Sequence, residues 1–219
     1  MQLTKQKGFT LVEIAIVLVI VGLLIGGVLK GQEMITNAKL KRVESDNAGI
    51  AAAMFSYQDR YLQLPGDDDG AEARFSLYTD TVNDPGAAIN GNSDGSIEGL
   101  WVGDSALAAP ANETGNYWKH LRAAGLIPGG GDDDTQPTNA YGGNIGIRDG
   151  SLKISGHVTI FGSIEGPIAS ILEARLDDGS PLTGRIQADT AAGDMDAVNT
   201  DSGEAAYTDA LRYFMAFRL

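Results

Sequence analysis

The chain has 219 residues, no cysteine, and a formal charge of −13 from 16 basic and 29 acidic side chains. That balance argues against direct binding to nucleic acid or to anionic lipid headgroups, both of which need clustered positive charge. Disulfide staples are excluded, and the length leaves room for one membrane span and one domain of roughly 150 residues with a real core.

Residues 1–8 form a short basic leader containing Lys5 and Lys7, and the apolar run begins at Phe9. From Phe9 to Leu29 the only charged side chain is Glu13. At ~1.5 Å of rise per residue, such a helix spans a hydrocarbon core of ~30 Å. An ordinary secretory signal has a shorter apolar region and is cut after it. Here the polar-to-apolar junction precedes the span, at Gly8-Phe9, so removing Met1 to Gly8 would leave the helix attached to the mature protein. An ionisable group inside a span costs ~2.5 to 3.5 kcal/mol on insertion scales, which marks Glu13 as functional. The plainer account is that Glu13 sits at headgroup level and reaches water. Lys30, Lys39, Lys41 and Arg42 follow the span, so basic residues flank it on both sides and do not orient it.

Gly8, Phe9, Thr10, Leu11 and Glu13 together resemble the start of a type IV prepilin or pseudopilin. The resemblance implies a prepilin peptidase that cuts after Gly8 and methylates the new N-terminal Phe9. It also implies that Glu13 neutralises the N-terminal amine of a neighbouring subunit during filament assembly. Loss of the leader would bring the side-chain charge to −15. Many major type IV pilins close a C-terminal loop with a disulfide, by the same resemblance; a chain without cysteine fits a pseudopilin or minor pilin better.

Beyond the span the helix continues. No proline occurs before Pro65, and Val43, Asn47, Ile50, Met54, Tyr57 and Tyr61 recur at steps of three and four, opposite Lys41, Glu44, Ser45, Gln58 and Asp59. Gly22, Gly26 and Gly27 permit close helix approach and a local unwinding within the span. Leu64-Pro65-Gly66 ends the helix. From Asp67 to Pro110 the chain is rich in Gly, Asn, Asp and Ala, a long loop with one short helix over Gly70 to Leu77. A second short helix covers Asn116 to Ala124 with Gly125 as cap. Ile145 to Ile164 alternates as two or three strands, a third short helix runs from Pro167 to Leu176, and Thr183 to Ala188 reads as a strand. The last residues, Tyr213, Met215, Phe217 and Leu219, fit a strand better than a helix because pilin-like heads lay a sheet against the long helix.

One loop has the pattern of a metal site. Asn90, Asn92, Asp94, Ser96 and Glu98 place oxygen side chains at alternate positions, with Gly95 sixth and Ile97 eighth, as in a calcium loop. The twelfth position is Trp101, so the closing ligand would have to come from Asp84, Asp104 or the Asp67 to Asp69 run. The competing account is an Asn/Asp/Gly turn with no ion. His120 and His157 stand apart with no ligand spacing, no nucleophile–base pattern is present, and Asn112-Glu113-Thr114 is a three-residue glycosylation match of little weight.

The chain is therefore expected to be an α+β, pilin-like, non-enzymatic protein. The expected division is leader 1–8, transmembrane half-helix 9–29, amphipathic half-helix 30–62 and a periplasmic head over 63–219. Its partners, by resemblance, are the prepilin peptidase, other pilin or pseudopilin subunits and an inner-membrane assembly platform. Calcium is the one cofactor the residues raise. A membrane-anchored ligand-binding or adhesive protein using a pilin-like export segment is the alternative.

Overall fold

A computed structural model describes residues 10–75, 90–99, 113–131, 133, 135–190 and 206–219. The chain divides into two compact units, Met1–Lys41 and Arg42–Leu219. In the described part of the first, every residue after Thr10 is helical. Helix α1 runs Leu11–Tyr61 without interruption, so the unwinding that Gly22, Gly26 and Gly27 allow is not present. From Leu11 to Leu29 its apolar side chains lie open, Leu11 90% exposed and Leu29 61%, whereas Leu40 is buried.

In the second unit α1 becomes amphipathic in fact as well as in pattern. Val43, Ile50, Met54 and Tyr57 are buried, Asn47 and Tyr61 are half-buried, and Ser45, Gln58 and Asp59 are exposed, as is Lys41 at the end of the first unit. The helix ends where Leu62 turns left-handed, φ 58°, just before Pro65-Gly66. Gly66 is required there: its φ is +92°, and a Cβ would lie 2.5 Å from the carbonyl oxygen of Glu113.

Helix α2, Ala71–Arg74, is shorter than the Gly70 to Leu77 expected; residues 76 and 77 lie outside the described residues. Helix α3, Glu113–Ala123, begins three residues earlier than the apolar spacing indicated. Its end is the one expected: Gly125 takes φ +68°, with N–H bonds from Leu126 to Leu121 and from Gly125 to Arg122 closing a Schellman cap.

Strands β1, Ile145–Ser151, and β2, Ile154–Glu165, form a hairpin with a bulge near Asp149. Helix α4, Gly166–Leu176, starts with Pro167 in its first turn. Strand β3, Ile186–Asp189, is later and shorter than Thr183 to Ala188, and β4, Arg212–Arg218, is the C-terminal strand expected. All pairings are antiparallel, in the order β1-β2-β4-β3.

Alternation along the strands gives the sheet two faces. Thr159, Phe161 and Phe217 share one; the Thr159 hydroxyl bonds Asn47 of α1, and the two phenyl rings meet edge to face at 5.2 Å. Ile154, Val158, Ile160 and Ala216 form an apolar cluster on the other face, flanked by Leu152 and Phe214. Trp118, Tyr117 and Leu121 of α3 are also fully buried.

Candidate functional site

The start of α1 is closed by its own sequence. Thr10 stands immediately before the first helical residue, and its hydroxyl accepts the N–H of Glu13 at 3.3 Å. Glu13 reaches back, its Oε2 accepting both the N–H and the hydroxyl of Thr10 at 2.8 Å each. This is a capping box, Thr-x-x-Glu, which satisfies donors that a helix N-terminus otherwise leaves unpaired. Both bonds land on one oxygen. Among the described residues Glu13 Oε1 has no partner, although a carboxylate has acceptor capacity for more. Gly8 and Phe9, the two sides of the expected cleavage, lie outside the described residues.

The helix that follows is long and apolar enough to cross a membrane, with a mean hydropathy of 2.8 over its most apolar stretch and none of that stretch buried. Lys30 and Glu33 pair at 2.8 Å just beyond it, both exposed.

The 90–98 loop is organised by two buried carboxylates from outside it. Asp67 accepts the N–H groups of Asp94 and Gly95 at 3.1 and 2.8 Å. Glu113, at the start of α3, accepts that of Asn92 on Oε1 at 3.0 Å and that of Glu98 on Oε2 at 2.9 Å. Burial raises the Glu113 pKa, the two backbone bonds oppose that rise, and the nearby charges of Asp67 and Asp94 add to it. Within the loop, Asn92 and Asp94 accept N–H bonds from residues two further on, the Asx pattern of a turn. Asn90 Oδ1 accepts the N–H of Glu72, and Ser96 donates to Asp149. The side chain of Glu98 is exposed.

The five residues of the calcium pattern are thus in one loop, with Asn90, Asn92 and Asp94 accepting N–H bonds, Ser96 donating to Asp149 and Glu98 exposed. Of the outside ligands considered, the Asp67 to Asp69 run does approach the loop, through Asp67, while Asp84 and Asp104 lie outside the described residues. The neighbouring Asp68 is buried and serves a different cluster, accepting from Tyr57 at 2.6 Å and from Arg74. His120 is also structural: its Nδ1 accepts the N–H of Gly66 at 2.9 Å, and its ring stacks on Tyr57. His157 is half-buried, 3.4 Å from Asp149.

A second acidic group escaped the sequence reading. Glu173 on α4, with Asp177 and Asp178 after it, brings carboxylate oxygens within 4.8 Å of one another. Asp177 accepts the N–H groups of Arg185 and Ile186 and so fixes the entry to β3. Asp178 accepts from Thr183 and Ser180. Glu173 is fully buried; burial pushes its pKa up to about 8, Tyr207 donating to it at 3.1 Å pulls the other way, and the two aspartates push it further up.

The model of the prokaryotic N-terminal methylation motif matches residues 3–29, which agrees with the resemblance to type IV prepilins and pseudopilins. The α+β arrangement of a long N-terminal helix and a small antiparallel sheet is likewise pilin-like. No match to a curated protein or to a solved structure is found.

Proposed function

We propose that this chain is a structural subunit, a minor pilin or pseudopilin, of a type IV pilus or type II secretion pseudopilus. Prepilin peptidase cuts between Gly8 and Phe9 and methylates Phe9. The product waits in the inner membrane as a single-pass protein with its head in the periplasm, and the assembly platform then moves it into a filament with other subunits. No catalytic role is assigned to it.

The observation that carries this reading is the state of Glu13. The capping box holds its carboxylate at the head of an apolar helix and, among the described residues, leaves Oε1 without a partner, able to take a cation. In hydrocarbon an unpaired ammonium and an unpaired carboxylate are each costly, so pairing them across two subunits fixes axial register while the exposed apolar faces supply contact.

Intact mass of the membrane-extracted protein tests the processing: with the peptidase, loss of Met1 to Gly8 and gain of one methyl group are expected, and retention of the leader would sink the reading. Glu13→Ala tests the assembly role. Cleavage is expected to persist while co-isolation with sheared filaments falls at least about tenfold, the loss of one buried charge pair. A wild-type protein that is processed but never co-isolates would point instead to an anchored binding or adhesive protein.

A further inference from the structure

The basic side chains of the head are mostly committed. Arg42 pairs with Asp46, Arg74 with Asp68, Arg122 with Asp133, Arg175 with Glu44 and Arg212 with Glu165. Among the described residues no ion pair or hydrogen bond is made by Lys153 Nζ, nor by the guanidinium groups of the two arginines Arg185 and Arg218. The two arginines are also neighbours. Arg218 donates its N–H to the carbonyl of Arg185 at 2.9 Å, one step beyond the Ile186–Phe217 pair that ends the β3–β4 ladder. Like charges set opposite each other across an antiparallel pair repel, so this arrangement costs stability unless an anion joins it.

Both arginines line a cavity of about 170 Å³ together with Asn47, Leu176, Ile186 and Phe217. Asp177 accepts the backbone N–H groups of Arg185 and Ile186, both on Oδ2, and makes no ion pair with either guanidinium among the described residues. Asn47 uses its Oδ1 to accept from Thr159, which leaves its amide NH₂ as a third donor. The space is below the several hundred Å³ of an organic ligand pocket and suits a single oxyanion group. Guanidinium forks match a carboxylate in two parallel bonds.

We propose that this pocket takes a carboxylate of a second copy of the chain. The proposal rests on the filament reading. Its further argument is charge: copies of a chain at −13 repel, and their attraction has to be concentrated where positive charge is not already neutralised internally. Arg185 and Arg218 are such a place, both exposed and adjacent to each other.

The test uses the full-length protein with Arg185→Glu and Arg218→Glu together, an unchanged melting curve serving as the folding control. The double variant is expected to be processed normally and recovered about tenfold less in sheared filaments, while Arg185→Lys with Arg218→Lys, which keeps the charge, recovers most of the loss. If the glutamate variant does not fold, Arg185→Gln with Arg218→Gln carries the same comparison. Recovery equal to wild type overturns the proposal. If wild type itself never enters filaments, the subunit reading fails, and sedimentation of the detergent-extracted protein decides the pocket separately. Self-association that weakens with salt and is lost in the variant supports docking; association indifferent to both overturns it. A melting midpoint raised by inorganic phosphate, with no self-association, assigns the pocket to a free oxyanion and overturns docking as well.

Discussion

The two units of this chain handle apolar surface in opposite ways. In Arg42–Leu219 the large hydrophobic side chains are mostly buried, and most buried polar groups have partners. In the described part of Met1–Lys41, leucine, valine and isoleucine side chains from Leu11 to Leu29 stand open along one helix. The head therefore has internal reasons to fold. The first half of α1 has almost none beyond its own backbone bonds and one capping box.

Substitutions on either side of that divide sharpen it. The largest expected effect is Trp118→Ala, which empties a fully buried site in α3 and should cost the head ~3–5 kcal/mol. Leu18→Ala, in the open stretch, should leave head melting within ~0.5 kcal/mol of wild type. Near-ultraviolet dichroism in detergent reads both, and equal losses would erase the contrast.

Next is a pH effect confined to the head. Because the folded-state pKa of Glu173 is raised to about 8 from 4.5, the folded protein holds its proton more tightly than the unfolded chain. The contribution is fully present below pH 4.5 and is lost as pH rises through 8. Glu173→Gln should therefore melt higher than wild type at pH 9, by an amount on the order of a few kcal/mol, with a small difference at pH 4. Parallel pH profiles for the two proteins would refute the assignment.

Thr10→Val acts on the other unit and is smaller. Removing the hydroxyl breaks the capping box, worth ~1 kcal/mol, and should speed hydrogen exchange in the first turn of α1 while leaving head melting unchanged. It should also lower filament recovery by less than Glu13→Ala does, since the carboxylate remains. The smallest expected effect is that of chelation. Hydrogen bonds to Asp67 and Glu113 account for the fold of the 90–98 loop, so EDTA should not move the melting midpoint. A drop restored by calcium would show that these buried carboxylates share an ion.

Much of this architecture was legible because it is written in side-chain pattern. The span, the α1 stripe, Pro167 at the start of α4, Gly125 after α3 and the alternation in β4 all follow from residue type at fixed spacing. The capping box was written there too, as Thr10 three residues before Glu13, but the intersubunit role that the resemblance implies for Glu13 drew the reading away from its local one. The early start of α3 was missed because Glu113 enters the helix to serve a distant loop, not an apolar face. β3 begins late because Asp177 takes the N–H groups of Arg185 and of Ile186 at the strand's entry, a contact between residues eight and nine apart that no periodicity reports.

Glu113 grips its loop only by main-chain amides, at Asn92 and at Glu98, with one oxygen for each. Every amino acid except proline brings that amide, so this clasp is blind to what side chains the loop displays. Glu98, whose side chain is exposed, can change type while this anchorage to α3 stays the same; Gly95 at φ +89° and buried Ile97 hold the stretch between.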